Sequence, residues 1–438
     1  MSTIIEIRGQ SKIIVRRIIS SIAFFPSVMA LGSILIAMLM LHLDKLFLSE
    51  FLREHFPTFV INSPDTARAV LGTLIGGLIS LTVFSFSMVM VLLNQASTNY
   101  SPRLIPSLVS NKKNQFVLGT FLGTIAFTVL VLFSVTTSGQ DSEPNAFSIF
   151  TAVVLGMHCL GMFVFFIHSI SSSIQISKIL ERLREESKSS LTLLQDHASD
   201  FENCYDPKGQ WYEVSMDTVG YFRSVNSSGL LRAASDYGMD IYIPHARGTF
   251  IQLGVTMLLA SKPVDDELAE LLTSFLEFSS QEIVDEDYTL GIKQITEVGV
   301  KAMSPGINDP GTALITLDYL TELLAMRLFL PEYESHSEEG RYVQVKIISF
   351  ETLLYQLMAE YRTYCKEDPI MVAKLLGMLR HLASRPSLTS LQRTAIIKEV
   401  RALEHDYEAA IDNPRDLEQL RAVVTQLTQT EHIPSSQS

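Results

Sequence analysis

The sequence predicts a mostly α-helical protein: a four-span transmembrane helical domain followed by a cytoplasmic domain with a small α/β module and a helical bundle. The first observation behind this prediction is a mean hydropathy of +0.24 over 438 residues. The second is an uneven division of charge, because residues 1–170 carry 10 Lys and Arg against 7 Asp and Glu, whereas the remainder carries 24 against 40. The net charge is therefore +3 for residues 1–170 and −16 for the remainder, which indicates that the two parts lie in different solvents.

Four apolar runs follow a basic lead at residues 1–17, and each is about 20 residues or longer, enough to cross a hydrocarbon core roughly 30 Å thick. The predicted spans are residues 18–43, 67–94, 116–136 and 147–170. We expect Asp65 to be the N-cap of the second span. Basic residues concentrate in the lead, in the second link and after the fourth span. The positive-inside rule therefore predicts that both termini are cytoplasmic.

The hydrophobic pattern divides the soluble half into four predicted segments. These are an amphipathic stalk helix with a linker at residues 171–210, a small α/β module at 211–263, a helical domain at 264–431 and a disordered tail at 432–438. Within the module, strand-like stretches at 219–225, 239–244 and 255–260 surround a short helix at 227–237. From residue 264 onward the apolar spacing is helical almost throughout, with breaks such as 331–340.

The second predicted span carries polar residues at seven-residue intervals. At about 100° per residue, a seven-residue step returns to nearly the same face of a helix. The candidate pore-lining residues on this stripe are Thr73, Gly77, Ser80, Ser87 and Asn94, with Gly76 beside them. Three interpretations stay open: packing against neighbouring helices, lining an ion or solute pathway in which side-chain oxygens replace hydration, and contact with lipid. The four runs contain no Asp or Glu, which weakens the case for a proton-coupled transporter.

His158 is the candidate titratable group within the membrane, as either a hydrogen-bonded helix-interface residue or a functional one. His168 follows ten residues later on the same span, about 15 Å away at 1.5 Å per residue, so the two side chains cannot share one metal ion. In the third span, Gly119 and Gly123 lie four residues apart, a spacing that favours close helix packing.

The segment AMSPGINDPGTA in the soluble half predicts a sharp turn between two helices. The first helix is expected to end at Met303, with Asp309 capping the next helix and Pro310 at its first position. The alternative is functional: Ser304, Asn308 and Asp309 form a candidate site in which the last two supply oxygen ligands to a regulatory cation or contribute to an interdomain contact.

No enzyme motif is present in the soluble half: the sequence contains no GxSxG elbow, phosphate-binding loop, GxGxxG or HExxH pattern. The cysteines, Cys159, Cys204 and Cys365, are far apart and form no CxxC pair. We therefore predict no catalytic residue, no cofactor and no metal site. The net charge of −16 in the second part argues against nucleic acid as a partner, because phosphate backbones are bound by clustered Lys and Arg.

Three stretches resemble a bacterial family of predicted membrane proteins catalogued as domain of unknown function 2254: NQASTNYSPRL from Asn94, LGTFLGT from Leu118 and SPGINDPGTA from Ser304. The resemblance covers about residues 15 to 425. A Ser-Pro-Arg triplet after the second span and an Asn-Asp-Pro turn in the soluble half recur in that family. Here the cytoplasmic loop motif is Tyr100, Ser101, Pro102 and Arg103, and the turn is Asn308, Asp309 and Pro310. The resemblance implies a bacterial inner-membrane location and no particular activity.

Two functions fit these observations. The first is an oligomeric ion channel in the lipid bilayer, in which the second span of each copy lines a pathway for inorganic ions and the acidic cytoplasmic domain concentrates cations. The second is a non-transporting membrane scaffold or sensor whose cytoplasmic domain binds a protein or ligand. We favour the channel because of the polar stripe.

Overall fold

The computed structural model of the protein describes most of the chain, and it divides the chain into two compact units, Met1–Lys178 and Ile179–Ser438. The described residues are 24–99, 112–137, 145–173, 175–196, 209–216, 218–279, 287–338, 340–386 and 388–429. The predicted lead, the loop motif at residues 100–103 and the predicted disordered tail lie outside these residues.

The first unit is built from helices. They are α1 (Phe24–Leu43), α2 (Ser49–His55), α3 (Pro64–Asn99), α4 (Lys112–Thr137) and α5 (Ala146–Ser173). Within the described residues, α1, α3, α4 and α5 are each long and apolar enough to cross a membrane. The prediction of four candidate membrane-spanning helices is thereby confirmed by length and composition. The short helix α2 lies within the predicted link between the first two.

The start of α3 differs from the prediction that Asp65 caps it. Pro64 occupies the first position of the helix, where its missing N–H is no loss. The backbone N–H of Thr66 donates to Ser63 Oγ (3.4 Å), so Ser63 is the capping residue. Asp65 lies within the first turn and forms an ion pair with Arg68 (2.8 Å).

Helix α4 is the central helix of the first unit and packs against α1, α3 and α5. Its glycines allow α1 to approach closely: a Cβ on Gly123 would lie only 2.5 Å from Ser33 Oγ. Thr124 and Thr128 on the same helix are buried, and the Thr128 hydroxyl donates to the carbonyl of Thr124 (2.7 Å). These contacts fit the packing that the small-residue spacing of this span predicts.

A buried carboxylate connects the end of α1 to the start of α5. Asp44 Oδ2 accepts from the backbone N–H of Ser148 (2.8 Å), and Ser49 Oγ donates to Asp44 Oδ1. Ser49 Oγ in turn accepts from the backbone N–H of Ala146 (3.0 Å). The first N–H groups of a helix have no intrahelical partner, so these two side chains satisfy donors of α5 from a distant part of the chain.

The second unit combines helices with two sheets. In chain order its elements are α6 (Ile176–Asp196, of which residues 179–196 belong to this unit), β1 (Tyr212–Ser215), β2 (Gly220–Val225), α7 (Ser227–Tyr237), β3 (Ile241–Ile243), β4 (Phe250–Ile251), β5 (Thr256–Ala260), α8 (Asp266–Thr273), β6 (Leu276–Ser279), α9 (Tyr288–Ala302), α10 (Pro310–Arg327), β7 (Tyr333–Glu338), β8 (Arg341–Lys346), α11 (Phe350–Cys365), α12 (Pro369–Ala383), α13 (Ser390–Ala410) and α14 (Pro414–Gln429). One sheet has the order β1-β5-β3-β8-β7 and the other β4-β2-β6.

The five-stranded sheet extends beyond the predicted α/β module. Strand β8 pairs in parallel with β3, although about a hundred residues separate them, and β7 joins β8 as an antiparallel hairpin. All other strand pairs are antiparallel. The described part of residues 264–431 therefore contains the strands β6, β7 and β8 in addition to helices, where the apolar spacing predicts helices and breaks.

Helix α6 is amphipathic, as the sequence predicts, and its apolar face is buried within the second unit. Leu183 and Leu191 are buried there, and a Cβ on Gly291 of α9 would collide with Ser187 Oγ of α6. Lys188 forms an ion pair with Glu322 of α10 (2.8 Å). Whether this helix acts as a stalk stays a prediction.

Candidate functional site

The polar stripe of α3 lies on the outer surface of the first unit. The five candidate residues Thr73, Gly77, Ser80, Ser87 and Asn94 are all exposed. The opposite side of the helix is buried against its neighbours through residues that include Leu71, Leu78 and Ser85. Among the described residues of the first unit, the stripe therefore lies on the side of α3 away from the buried contacts of Leu71 and Leu78.

The stripe is narrow and is interrupted by apolar residues. Phe84 and Val91 lie on the same side of α3 and are 52% and 63% exposed. The hydroxyl of Ser80 donates to the carbonyl of Gly76 (2.9 Å), and Thr73 donates to Ala69 in the same way (2.8 Å). Such bonds to the preceding turn satisfy the hydroxyl donors within the helix.

Small residues on this side of α3 leave room for close approach. A Cβ added at Gly76 or Gly77 would have no neighbour within 4 Å. Beside the stripe, a groove of about 700 Å³ runs between α3 and α5 and is lined by residues such as Thr73, Gly77 and Gly156. Small side chains at four-residue spacing allow another helix to come close in a membrane.

His158 lies on the exposed surface of α5, as does His168. The neighbouring Cys159 is buried instead, and its thiol donates to Thr124 Oγ1 (3.3 Å). Within the described part of the chain, no group of three or more His, Cys, Asp and Glu side chains is arranged to hold a metal ion.

In the soluble turn, the described partners of the candidate site residues are those of a helix-capping turn. Asp309 Oδ1 accepts from the backbone N–H of Thr312 (3.1 Å), and Oδ2 accepts from the Thr312 hydroxyl (2.6 Å). Asn308 adopts a left-handed conformation (φ 50°), which Asn tolerates better than most residues. The hydroxyl of Ser304 donates to the carbonyl of Lys301 (2.6 Å). Asp309 thus caps α10 with Pro310 at its first position, as predicted.

A cleft in the second unit is formed by residues that carry no recognisable sequence motif. The cleft of about 570 Å³ lies between β2, the turn at residues 246–249, α9 and α11. Its charged residues include Arg223, Arg247 and Lys293. They come from separate elements across about seventy residues, so no local motif connects them in the sequence.

Four apolar helices joined to a folded unit of helices and strands define a multi-pass membrane protein. The chain belongs to the family of predicted membrane proteins described as DUF2254, whose model matches residues 19–381. Two uncharacterised proteins, from Mycobacterium bovis and Mycobacterium tuberculosis, are each 22% identical to it over 366 residues, which is 79% of this chain and 70% of theirs. No solved structure matches the chain.

Proposed function

We propose that this protein is a homo-oligomeric, non-enzymatic ion channel of the bacterial inner membrane, with both termini in the cytoplasm. The observation that carries the proposal is the outward position of the polar stripe on α3. Thr73, Gly77, Ser80 and Ser87 lie within Pro64–Leu92, a stretch long and apolar enough to span a membrane, and Asn94 follows two residues beyond its end. Polar groups that face lipid are costly. A surface of this kind is better placed against water or against other copies of the chain.

Several copies arranged around an axis would bring their α3 stripes together. Cyclic symmetry repeats one surface patch around a common centre, so a stripe on a single helix becomes the lining of a pathway. The exposed glycines Gly76 and Gly77 on this side of the helix would allow such helices to approach one another closely.

The pathway would alternate polar and apolar layers. Thr73, Ser80, Ser87 and Asn94 recur about every 10.5 Å along α3 at 1.5 Å per residue, with Phe84 and Val91 between them on the same side. Hydroxyl and amide oxygens replace the hydration of an ion, and rings of apolar side chains gate a pore by dewetting. The net charge of −16 over residues 171–438 favours cations over anions near the cytoplasmic mouth.

Ion flux through liposomes that contain the full-length protein tests this proposal. We expect Asn94→Leu to reduce flux to the level of protein-free liposomes, because a ring of leucines removes the polar groups that replace ion hydration. Thr82→Val is the matched control, because Thr82 lies on the other side of α3, where its hydroxyl donates to the carbonyl of Leu78 (2.7 Å). Flux that Asn94→Leu leaves unchanged in a correctly assembled protein would exclude this face of α3 from the pathway.

A second candidate is a membrane-anchored sensor, and the cleft of the second unit favours it. In this function the spans serve as an anchor and the cleft binds a ligand. Liposomes that contain the assembled wild-type protein and stay impermeable to every cation and anion tested would support the sensor over the channel.

A further inference from the structure

The walls of the cleft in the second unit come from β2, the turn at residues 246–249, α9 and α11. Strand β2 supplies Tyr221 and Arg223, and the turn at residues 246–249 supplies Arg247. The helices supply two faces at helical spacing, which are Thr289, Lys293 and Thr296 on α9 and Leu353, Gln356 and Glu360 on α11. A volume of about 570 Å³ lies in the range of small-molecule sites, roughly 300–1,000 Å³.

The backbone holds the turn in a fixed position against β2. The backbone N–H of Gly248 donates to the carbonyl of Phe222 (2.8 Å), and the N–H of Phe222 donates to the carbonyl of Thr249 (2.9 Å). Gly248 has φ +80°, and a Cβ there would lie 2.9 Å from Asp287 Oδ2. The glycine thus allows the close approach that places Arg247 beside the start of α9.

Three cations among the described residues line this cleft, although residues 171–438 carry a net charge of −16. Arg247 is oriented by Glu334 (2.8 Å), which also contacts His336 (3.1 Å). Burial alone would raise the pKa of Glu334, but its contacts with His336 and Arg247 lower it overall. The carboxylate therefore stays ionised and holds the guanidinium in place. A guanidinium has five N–H donors and an ammonium three, so one carboxylate does not occupy all the donors of Arg247.

Of the acids in the described part of the chain, Asp287 and Glu360 line the same cleft. Asp287 is the N-cap of α9: its Oδ1 accepts from the backbone N–H and from the hydroxyl of Thr289 (2.9 and 2.7 Å). Mixed charge of this kind suits a ligand that has an anionic end and hydrogen-bond donors elsewhere. The rings of Tyr221 and Tyr355 lie among the lining residues and offer apolar surface to a planar group.

From these contacts we infer that the cleft binds a phosphate-bearing small molecule of up to nucleotide size. Arg223, Arg247 and Lys293 bind its phosphates, since guanidinium and ammonium groups form charge-assisted hydrogen bonds with phosphate oxygens. The composition of the soluble half argues against extended nucleic-acid backbones, but cations that line one cleft are enough for one small anion. The inference does not rest on the proposed channel function.

Isothermal titration of the full-length protein in detergent with ATP, AMP and inorganic pyrophosphate tests this inference. We expect binding that Arg223→Gln and Lys293→Gln each weaken by about tenfold or more, as the loss of a charge-assisted hydrogen bond predicts. Arg232→Gln is the control, because Arg232 is an exposed cation on α7 outside the cleft. Circular dichroism establishes that each variant is folded.

The three probes also identify the source of the phosphate. ATP that binds more tightly than pyrophosphate would indicate a nucleotide, and equal affinities would indicate that the phosphates alone are recognised. Two results would overturn the inference: none of the three probes binds the wild-type protein, or Arg223→Gln and Lys293→Gln bind as the Arg232→Gln control does.

Discussion

Replacing Arg327 with Ala is expected to destabilise the second unit by about 3–5 kcal/mol, through unsatisfied buried polar groups and a cavity. Arg327 lies at the end of α10 and is only 1% exposed. Its guanidinium donates to the carbonyl of Leu330 (3.0 Å) and to that of Ile348 (2.5 Å), just before α11. Loss of the side chain would leave both carbonyls without this donor.

The same guanidinium acts on Tyr288 at the start of α9. Burial raises the pKa of the Tyr288 hydroxyl to about 12, against the opposing effect of the Arg327 charge. Tyr288 is therefore neutral near pH 7. Arg327 thus lies against the start of α9 and bonds the segment before α11, and these helices form two walls of the cleft.

Denaturant unfolding followed by Trp211 fluorescence measures the effect of Arg327→Ala, because Trp211 is the single tryptophan of the chain and directly precedes β1. Arg401→Ala is the control for loss of an exposed arginine, since the Arg401 side chain is 57% exposed. Equal unfolding midpoints for the two variants would contradict a structural role for the buried guanidinium.

Replacing Gly299 with Ala is expected to destabilise the second unit by about 2–4 kcal/mol, because overpacking is added to the loss of a hydrogen bond. A Cβ at Gly299 would collide with both Tyr361 Oη and Thr316 Oγ1. These two hydroxyls are hydrogen-bonded to each other (2.7 Å) and buried. The added methyl group would push α9 away from α11 and separate this pair.

The double variant Gly299→Ala, Tyr361→Phe checks this explanation by the same fluorescence measurement. Removal of the Tyr361 hydroxyl makes room for the methyl group, so we expect the double variant to be more stable than additivity of the two single changes predicts. Gly377→Ala is the matched control on α12, where a Cβ would meet nothing within 4 Å. There the higher helix propensity of Ala predicts no loss of stability. Strict additivity would contradict the steric explanation.

Elements with strong local signals could be predicted from the sequence. The four spans follow from long apolar runs. The helix predicted at residues 227–237 has those bounds in the structure because Asn226 caps its start and Gly238 ends it in a left-handed conformation (φ +61°). Asp309 and Pro310 form the predicted start of α10 for a similarly local reason.

The strands of the second half could not be predicted because their signals are not local. Strand β7 has the polar sequence YESHSE, which is typical of a loop, and it becomes a strand through its pairing with β8. Strand β8 is held by β3 from a distant part of the chain. Pairing partners of this kind cannot be inferred from the periodicity of one segment.

The surroundings of the candidate sites also depend on tertiary structure. A membrane helix is apolar on most sides, so its sequence does not reveal which face packs inward, and only the burial of residues such as Leu71 and Leu78 places the α3 stripe outside. The cleft cations Arg223, Arg247 and Lys293 come from β2, a turn and α9. Folding places them around one cleft, and no single short motif of the sequence contains all three.

Water access along α3 tests the central claim most directly. The experiment compares, in liposomes, how fast single cysteines react with a small cationic thiol reagent. The cysteines replace Ser80, Ser87, Ile79 or Phe86, one at a time. The native cysteines are first removed by Cys159→Ser, Cys204→Ser and Cys365→Ser. Ile79 and Phe86 are exposed controls, each one residue before a stripe position and therefore about 100° around the helix at nearly the same depth.

A thiol must ionise in water to react, so lipid and tight packing both protect it. We predict that Ser80→Cys and Ser87→Cys react while Ile79→Cys and Phe86→Cys do not. Protection of all four cysteines would contradict a water-filled pathway along α3 and leave the membrane-anchored sensor as the better description of this protein.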